Sequence, residues 1–305
     1  MLDLIVFIKA DGPNIRQDNM YETLVSLKHT IGNCNYGFYI VTNPFLINSI
    51  RAAAIDDKIV DIKLSNPNVS WAYDYNMFVS EYKDKTKWIL ISHDDLIVRT
   101  PNFINKTFDA IKGKEDQIGW ITFTSDYYYT IEGLPIPCTA RSGLAIDRNN
   151  APYLYECHNL TREHYGQTQN FLHLLDMPES GKLVKIHAPM SSLFMVSSKN
   201  MQKIGPCEDW TLYTMLIDED WGFESLRNNL ISVWIPDIFY THPLRKPQRP
   251  TGNKWEAEAH AAFIKKWGFD IPLFDDNVIK EIQQQYKDSL IPWSSYYRTY
   301  EWQYL

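Results

Sequence analysis

The feature that most constrains this chain is the alternation in residues 1–125. Short apolar runs, of the length of buried strands, are separated by stretches whose apolar residues recur every three or four positions, as on an amphipathic helix. Residues 4–8, 37–41, 59–64, 88–91 and 118–124 read as strands. Met20, Leu24, Leu27 and Ile31 form one helical stripe, and Leu46, Ile47, Ile50 and Ala54 a second. Asn19 with Glu22 three residues on has the form of a capping box, and Asn43-Pro44 that of a helix start. Ser70 can cap a helix carrying Trp71, Tyr75, Phe78 and Tyr82, and a further helix is expected from Thr100-Pro101 to Gly113. Repeated strand–helix–strand units imply an α/β protein with a mostly parallel central sheet and helices on both faces. In such sheets ligands sit beyond the carboxyl ends of the strands. The segments 9–14, Asn43 and above all His93-Asp94-Asp95 thereby become candidates.

The second half is less regular. Residues 125–182 carry Tyr127-Tyr128-Tyr129 and scattered histidines, an arrangement suited to a lid or binding segment. His158, His164 and His173 match no compact zinc spacing and read as surface residues. Order returns at 183–195, followed by a helix over 198–204 ending at Gly205, a helix over 219–228, and strands over 231–235 and 238–242. A Pro- and Arg-containing linker, 244–253, leads to two amphipathic helices near 254–267 and 276–288. The aromatic tail, 292–305, either packs back over the core or mediates self-association.

Composition removes several function classes. At 305 residues, 45% hydrophobic and with a net charge of −7, the chain can bury a sizeable core and is not a disordered one. Acids outnumber bases 37 to 30, against a duplex nucleic-acid binder. No apolar run approaches the ~18–20 residues of a membrane span. The opening residues lack a basic lead and carry Asp3, so no signal peptide is expected. Cys34, Cys138, Cys157 and Cys207 lie far apart with no CxxC pair, as reduced thiols of a cytoplasmic protein would. The 10 Trp and 19 Tyr suit either a rigid aromatic core or a cleft in which rings stack on sugars or bases.

Three constellations could carry chemistry. Asp94 and Asp95 end an apolar strand, where they either satisfy backbone N–H groups of a turn or hold Mg²⁺ or Mn²⁺ through oxygen ligands. Asp218-Glu219-Asp220 opens a helix, where the macrodipole favours acids. One of them, Asp220 foremost, could also serve as a general base, its proton affinity raised by its neighbours. His242, at the end of a later strand, is either structural or a nitrogen ligand beside the carboxylates.

The order of these pieces resembles a GT-A fold glycosyltransferase of the inverting, family-2-like group. The resemblance rests on residues 5–11, on Ala72-Tyr73-Asp74-Tyr75-Asn76, on the strand 89–95, on 188–196, on Lys203-Ile204-Gly205, on Glu219-Asp220 and on 236–242. It implies a GT-A (Rossmann-like) domain over 1–243, with a nucleotide-sugar half at 1–125 and an acceptor half at 126–243, plus a C-terminal helical extension at 244–305. It implies a nucleotide-diphosphate sugar donor, of UDP or GDP type, a glycan or other hydroxyl acceptor, and a Mn²⁺ or Mg²⁺ cofactor. Asp94 would hold the metal with Asp95 and His242. Asp220, with Glu219 beside it, would act as base. Asp11, Asn43, Asn76, Asp95, Ser191 and Trp221 would line the substrate site. Any membrane association would come through the acceptor. The chain departs from the family at Ser92, where the first Asp of the DxD motif is expected, and at Asn43, near the place of a base-reading Asp. Two alternatives remain. A nucleotidyltransferase is disfavoured by the single glycine of Ala10-Asp11-Gly12-Pro13, and a non-catalytic carbohydrate-binding relative is suggested by Ser92.

Overall fold

A computed structural model describes residues 1–10, 17–66, 68–131, 134–138, 144–146, 154–156, 180–186, 189, 192–210, 216–243, 253–268 and 305. Its strands are β1 (Leu2–Ala10), β2 (Tyr36–Thr42), β3 (Ile59–Leu64), β4 (Thr86–Ser92), β5 (Ile97–Val98), β6 (Ile118–Ile131), β7 (Leu134–Cys138), β8 (Leu144–Ile146), β9 (Leu154–Glu156), β10 (Val184–Ile186), β11 (Leu193–Ser197) and β12 (Ile231–Pro243). Its helices are α1 (Gln17–Thr30), α2 (Ile47–Ala52), α3 (Trp71–Tyr82), α4 (Phe103–Ile111), α5 (Ser198–Ile204), α6 (Ile217–Arg227) and α7 (Asn253–Trp267). The main sheet runs β10-β12-β6-β11-β4-β1-β2-β3, with β5 beside β12 and β7 beside β6. β1 is parallel to β2 and β4, β2 to β3, and β6 to β12, whereas β11 lies antiparallel between β4 and β6. The expected α/β class, mostly parallel and covered on both faces, is what the chain forms.

β1 shows why both faces are covered. Side chains alternate across a strand, and every residue from Leu4 to Ile8 is fully buried. Leu4, Val6 and Ile8 join Met20, Leu24 and Leu27 of α1, Ile50 of α2 and Ile104 of α4 in one core. Ile5 and Phe7 join Ala72, Tyr75 and Phe78 of α3, Met201 of α5 and Trp221 of α6 in the other. Each such aliphatic or aromatic side chain contributes about 1.5–3 kcal/mol by leaving water.

Several boundaries differ from the sequence reading, each for a local reason. α1 begins at Gln17, so Asn19 sits inside the helix and is buried rather than capping it. α4 begins at Phe103, because the Thr100 hydroxyl accepts the Phe239 N–H of β12 at 2.8 Å instead of capping a helix. The strands expected at 231–235 and 238–242 are one, β12, and Pro236 falls where its register against β6 shifts between Ile235 and Phe239. A proline has no N–H to give a ladder, and its carbonyl there accepts from Thr124 Oγ1 at 2.7 Å. Ser70 caps α3 as expected, accepting from Tyr73 N at 2.9 Å.

The descent of α6 onto the sheet depends on one glycine. A Cβ on Gly119 of β6 would stand 2.7 Å from Ser225 Oγ and 2.8 Å from Ser225 Cβ. Ser225 lies late in α6 over the start of β6, and Trp221, one turn earlier, stacks on Trp120 at 4.6 Å. The first turn of α6 therefore points towards the edge where the parallel strands end. At the other end of the chain, Leu305 N–H donates to Leu183 O at 2.9 Å and its side chain packs on the first core. Residues 276–288, the rest of the tail and His158, His164 and His173 lie outside the described residues. Among those described, no helix is long and apolar enough to cross a membrane.

Candidate functional site

The carboxyl ends of β4 and β12 carry a compact polar cluster. The ladder continues one residue past β4, with His93 N–H donating to Ser192 O at 2.9 Å. The chain bends at Asp94 and Asp95, just after β4. Asp95 Oδ1 lies 2.9 Å from His242 Nε2, and Ser192 Oγ lies 2.7 Å from His242 Nδ1. The rings of His93 and His242 meet edge to face with centroids 5.3 Å apart. One ligand atom from each of His93, Asp95 and His242 falls within 4.8 Å of the others. His93 is exposed, Asp95 half-buried and His242 buried, so the cluster opens outward.

The scaffold of this cluster is local. Ser192 N–H donates to Tyr240 Oη at 3.2 Å, so β11 and β12 are tied twice where they flank the site. The segment after Asp95 is pinned to α1, since Thr23 Oγ1 donates to Leu96 O at 2.9 Å and accepts from Leu96 N at 3.0 Å. Arg99 Nε donates to Thr241 Oγ1 at 3.0 Å. Ser92, standing where the DxD motif has its first Asp, is buried and donates to His93 O at 2.8 Å. Two of the three expected metal ligands, Asp95 and His242, therefore come together. The third member of the trio is His93, and Asp94 is not part of it. The signal for His93 was present in the sequence as a histidine two residues before an aspartate at a strand end.

A donor set of two imidazoles and one carboxylate, convergent and half open to solvent, fits a divalent first-row ion with positions left for other ligands. The orientation of His242, fixed through its second ring nitrogen by a hydroxyl, is the kind of support that metal-binding histidines receive.

Asp220 sits in the first turn of α6, against α7. It is 1% exposed. Its Oδ1 accepts from Trp267 Nε1 at 2.8 Å and pairs with Lys266 Nζ at 2.8 Å, both from α7. Burial pushes the Asp220 carboxyl up to about 6, although Lys266 and Trp267 both favour its ionised form. Lys266, itself part-exposed, contacts Glu208 and Glu224 at 2.8 Å as well, and these three acids together hold its ammonium above the ordinary lysine range despite its burial. The two directions agree physically, because the acid lies deeper than the base. No short-range pattern announced Lys266 or Trp267, 46 and 47 residues further along the chain.

The other sequence candidates fall in distinct places. Glu219 is buried beside Asp220. Trp221 is fully buried, with Trp120, Trp71, Tyr75 and Phe194 around it. Asn76 grips the backbone of Cys207, donating to its carbonyl and accepting from its N–H, each at 2.8 Å, and so fastens the segment before α6 to α3. Asn43 follows β2 and accepts from Ser65 Oγ at 2.8 Å. Asp11, Ser191 and the side chains of Tyr127–Tyr129 lie outside the described residues. At the end of β1, Lys9 is almost wholly buried, 2.7 Å from Asp74 and 3.2 Å from Ser70 O, joining that strand to the start of α3.

Among solved structures, the fold is similar to that of GalNAc-T7, crystallised with UDP, GalNAc and Mn²⁺, with a TM-score of 0.60 at 12% identity over 94% of this chain and 54% of that one. The fold is GT-A. The chain spans about half the length of that GT-A neighbour. No family model and no curated protein matches the sequence.

Proposed function

We propose that the protein is a metal-dependent glycosyltransferase that moves a sugar from a nucleotide-diphosphate donor to a hydroxyl acceptor with inversion. The observation that carries this reading is the His93–Asp95–His242 trio at the ends of β4 and β12 of a GT-A fold. The solved neighbour holds a nucleotide, a sugar and Mn²⁺, a set that suits such a site. His93, Asp95 and His242 would hold the ion, with Asp94 adjacent. When bound, a divalent cation supplies charge neutralisation at a leaving diphosphate. Two nitrogen ligands match Mn²⁺ better than Mg²⁺, which takes oxygen.

The chain's own work is to manage the acceptor proton. In the reaction the acceptor oxygen forms a bond to the anomeric carbon while that carbon's bond to the diphosphate oxygen breaks. The electron pair leaves with the nucleoside diphosphate, and the hydroxyl proton passes to Asp220. A carboxyl held near 6 is suited to that task at neutral pH, being ionised yet basic enough to accept a proton. Glu219, Asn43, Asn76 and, outside the described residues, Asp11 and Ser191 complete the proposed substrate site, and Trp221, fully buried against Trp120, supports it from within α6.

A panel of UDP- and GDP-sugars incubated with and without Mn²⁺ tests the reading. Metal-dependent hydrolysis or transfer is expected with at least one donor. Asp95→Ala should abolish Mn²⁺ binding measured by calorimetry. Asp220→Asn should lower turnover on the order of 10²–10⁴-fold with donor binding retained. Unchanged turnover in Asp220→Asn removes the base, and Mn²⁺ affinity unchanged in Asp95→Ala removes the metal site.

A further inference from the structure

Asp220 is gripped by one oxygen only. Both groups on Oδ1, Lys266 Nζ and Trp267 Nε1, come from α7. Oδ2 is buried and has no hydrogen-bond partner among the described residues. Buried polar atoms are usually partnered, and one left without a partner calls for an explanation. The grip itself is braced from several sides. Lys266 is shared with Glu208 and Glu224, and the Arg227 guanidinium lies over the Trp267 ring at 4.0 Å. Phe223 of α6 packs on Phe263 and Trp267 of α7.

We propose that Lys266 and Trp267 are positioning residues for the acceptor-side base: they hold Asp220 by Oδ1 and keep Oδ2 for the acceptor hydroxyl. This rests on the reading of Asp220 as that base. It assigns α7, outside the segments that carried the family resemblance, a part in the transfer itself.

Among the described residues, the ionisable groups around Asp220 include Lys266 from α7, Asp218 and Glu224 from α6, and Cys207 and Glu208 from the segment joining α5 to α6. Lys266 and the Trp267 N–H favour the ionised carboxylate, while burial and Glu208 oppose it. Removing Lys266 therefore keeps Asp220 protonated to a higher pH, and a contact that only joined the helices would show that shift without moving the acid limb of turnover.

The test is a carboxyl titration of the full chain by NMR with ¹³Cγ-labelled aspartate, the Asp220 signal being assigned by its loss in Asp220→Asn. This readout needs no identified donor. Lys266→Met is expected to leave a roughly ten-fold smaller ionised fraction at pH 5, Trp267→Phe a smaller loss in the same sense, and Lys266→Arg a return towards the native curve. Should Lys266→Met fail to fold, Trp267→Phe decides by itself. The acid limb of Mn²⁺-dependent hydrolysis of the donor found active in the panel should move with the titration. A titration unmoved in these variants overturns the inference while leaving the base reading intact. Full turnover in Asp220→Asn overturns the base reading, and the inference with it.

Discussion

Asp95 and Asp220 are carboxylates in opposite surroundings, one just past a strand and the other in the first turn of a helix. Asp95 is half-buried, lies on the chain between β4 and β5, and meets His242 where β5 pairs with β12. Asp220 is 1% exposed and is held by α7, which begins 33 residues further along the chain. Hydrogen-bond ladders place the first; aromatic helix packing places the second. A strand end can carry charge near water at little cost, whereas burying a carboxylate raises its proton affinity. The contrast suits an ion at one position and a proton at the other.

The sharpest way to break this comparison is to remove the aromatic floor of α6. Trp221→Ala should destabilise the fold by about 3–5 kcal/mol, read as a lowered urea midpoint. The Mn²⁺ affinity of the protein that remains folded should not change. A fall in that affinity would show that the two regions are mechanically one.

The next largest effect is in pH. Asp220 titrates near 6 when folded, against 3.8 for an ordinary Asp. The folded state thus binds this proton more tightly than the unfolded one. The stabilisation is fully present below 3.8 and is lost as pH rises through about 6, a change of at most about 3 kcal/mol. The raised Lys266 acts in the alkaline range only and is constant across this window. The stability difference between the native chain and Asp220→Asn should therefore change across the interval and be flat above it. A flat difference throughout would mean that Asp220 is ionised as easily as a surface carboxylate.

Smallest is the effect of Ser192→Ala. It removes the hydroxyl on His242 Nδ1 and leaves His93, Asp95 and His242 themselves unchanged, and should weaken Mn²⁺ binding about ten-fold, measured by electron paramagnetic resonance of the free ion. Unaltered affinity would show that the strand ladders alone aim His242.

Much of this was legible in the sequence, because strands and caps are local. Ser70 and Gly205 bound their helices as expected, and Ile59–Leu64 forms its strand end to end. Asp95 and His242 could be paired in advance because both follow strands of a parallel set, whose ends share an edge. What was not legible depends on contacts between distant segments. The choice of His93 over Asp94 depends on the ladder bond to Ser192, 99 residues on. The surroundings of Asp220 depend on how α7 seats against α6, and its helical periodicity says which residues share a face without saying what they touch.

The reversed strand β11 has a consequence of its own. Because it runs against its neighbours, it enters the sheet at the site, and its first residues, not its last, border the His93–Asp95–His242 trio. Ser192 then answers to two partners at once, the His93 amide and the His242 ring. Sliding β11 by a single step along β4 would break both and turn its side chains to the opposite face. The His93–Asp95–His242 cluster thus doubles as a checkpoint on assembly: only a sheet zipped in the correct alignment has one.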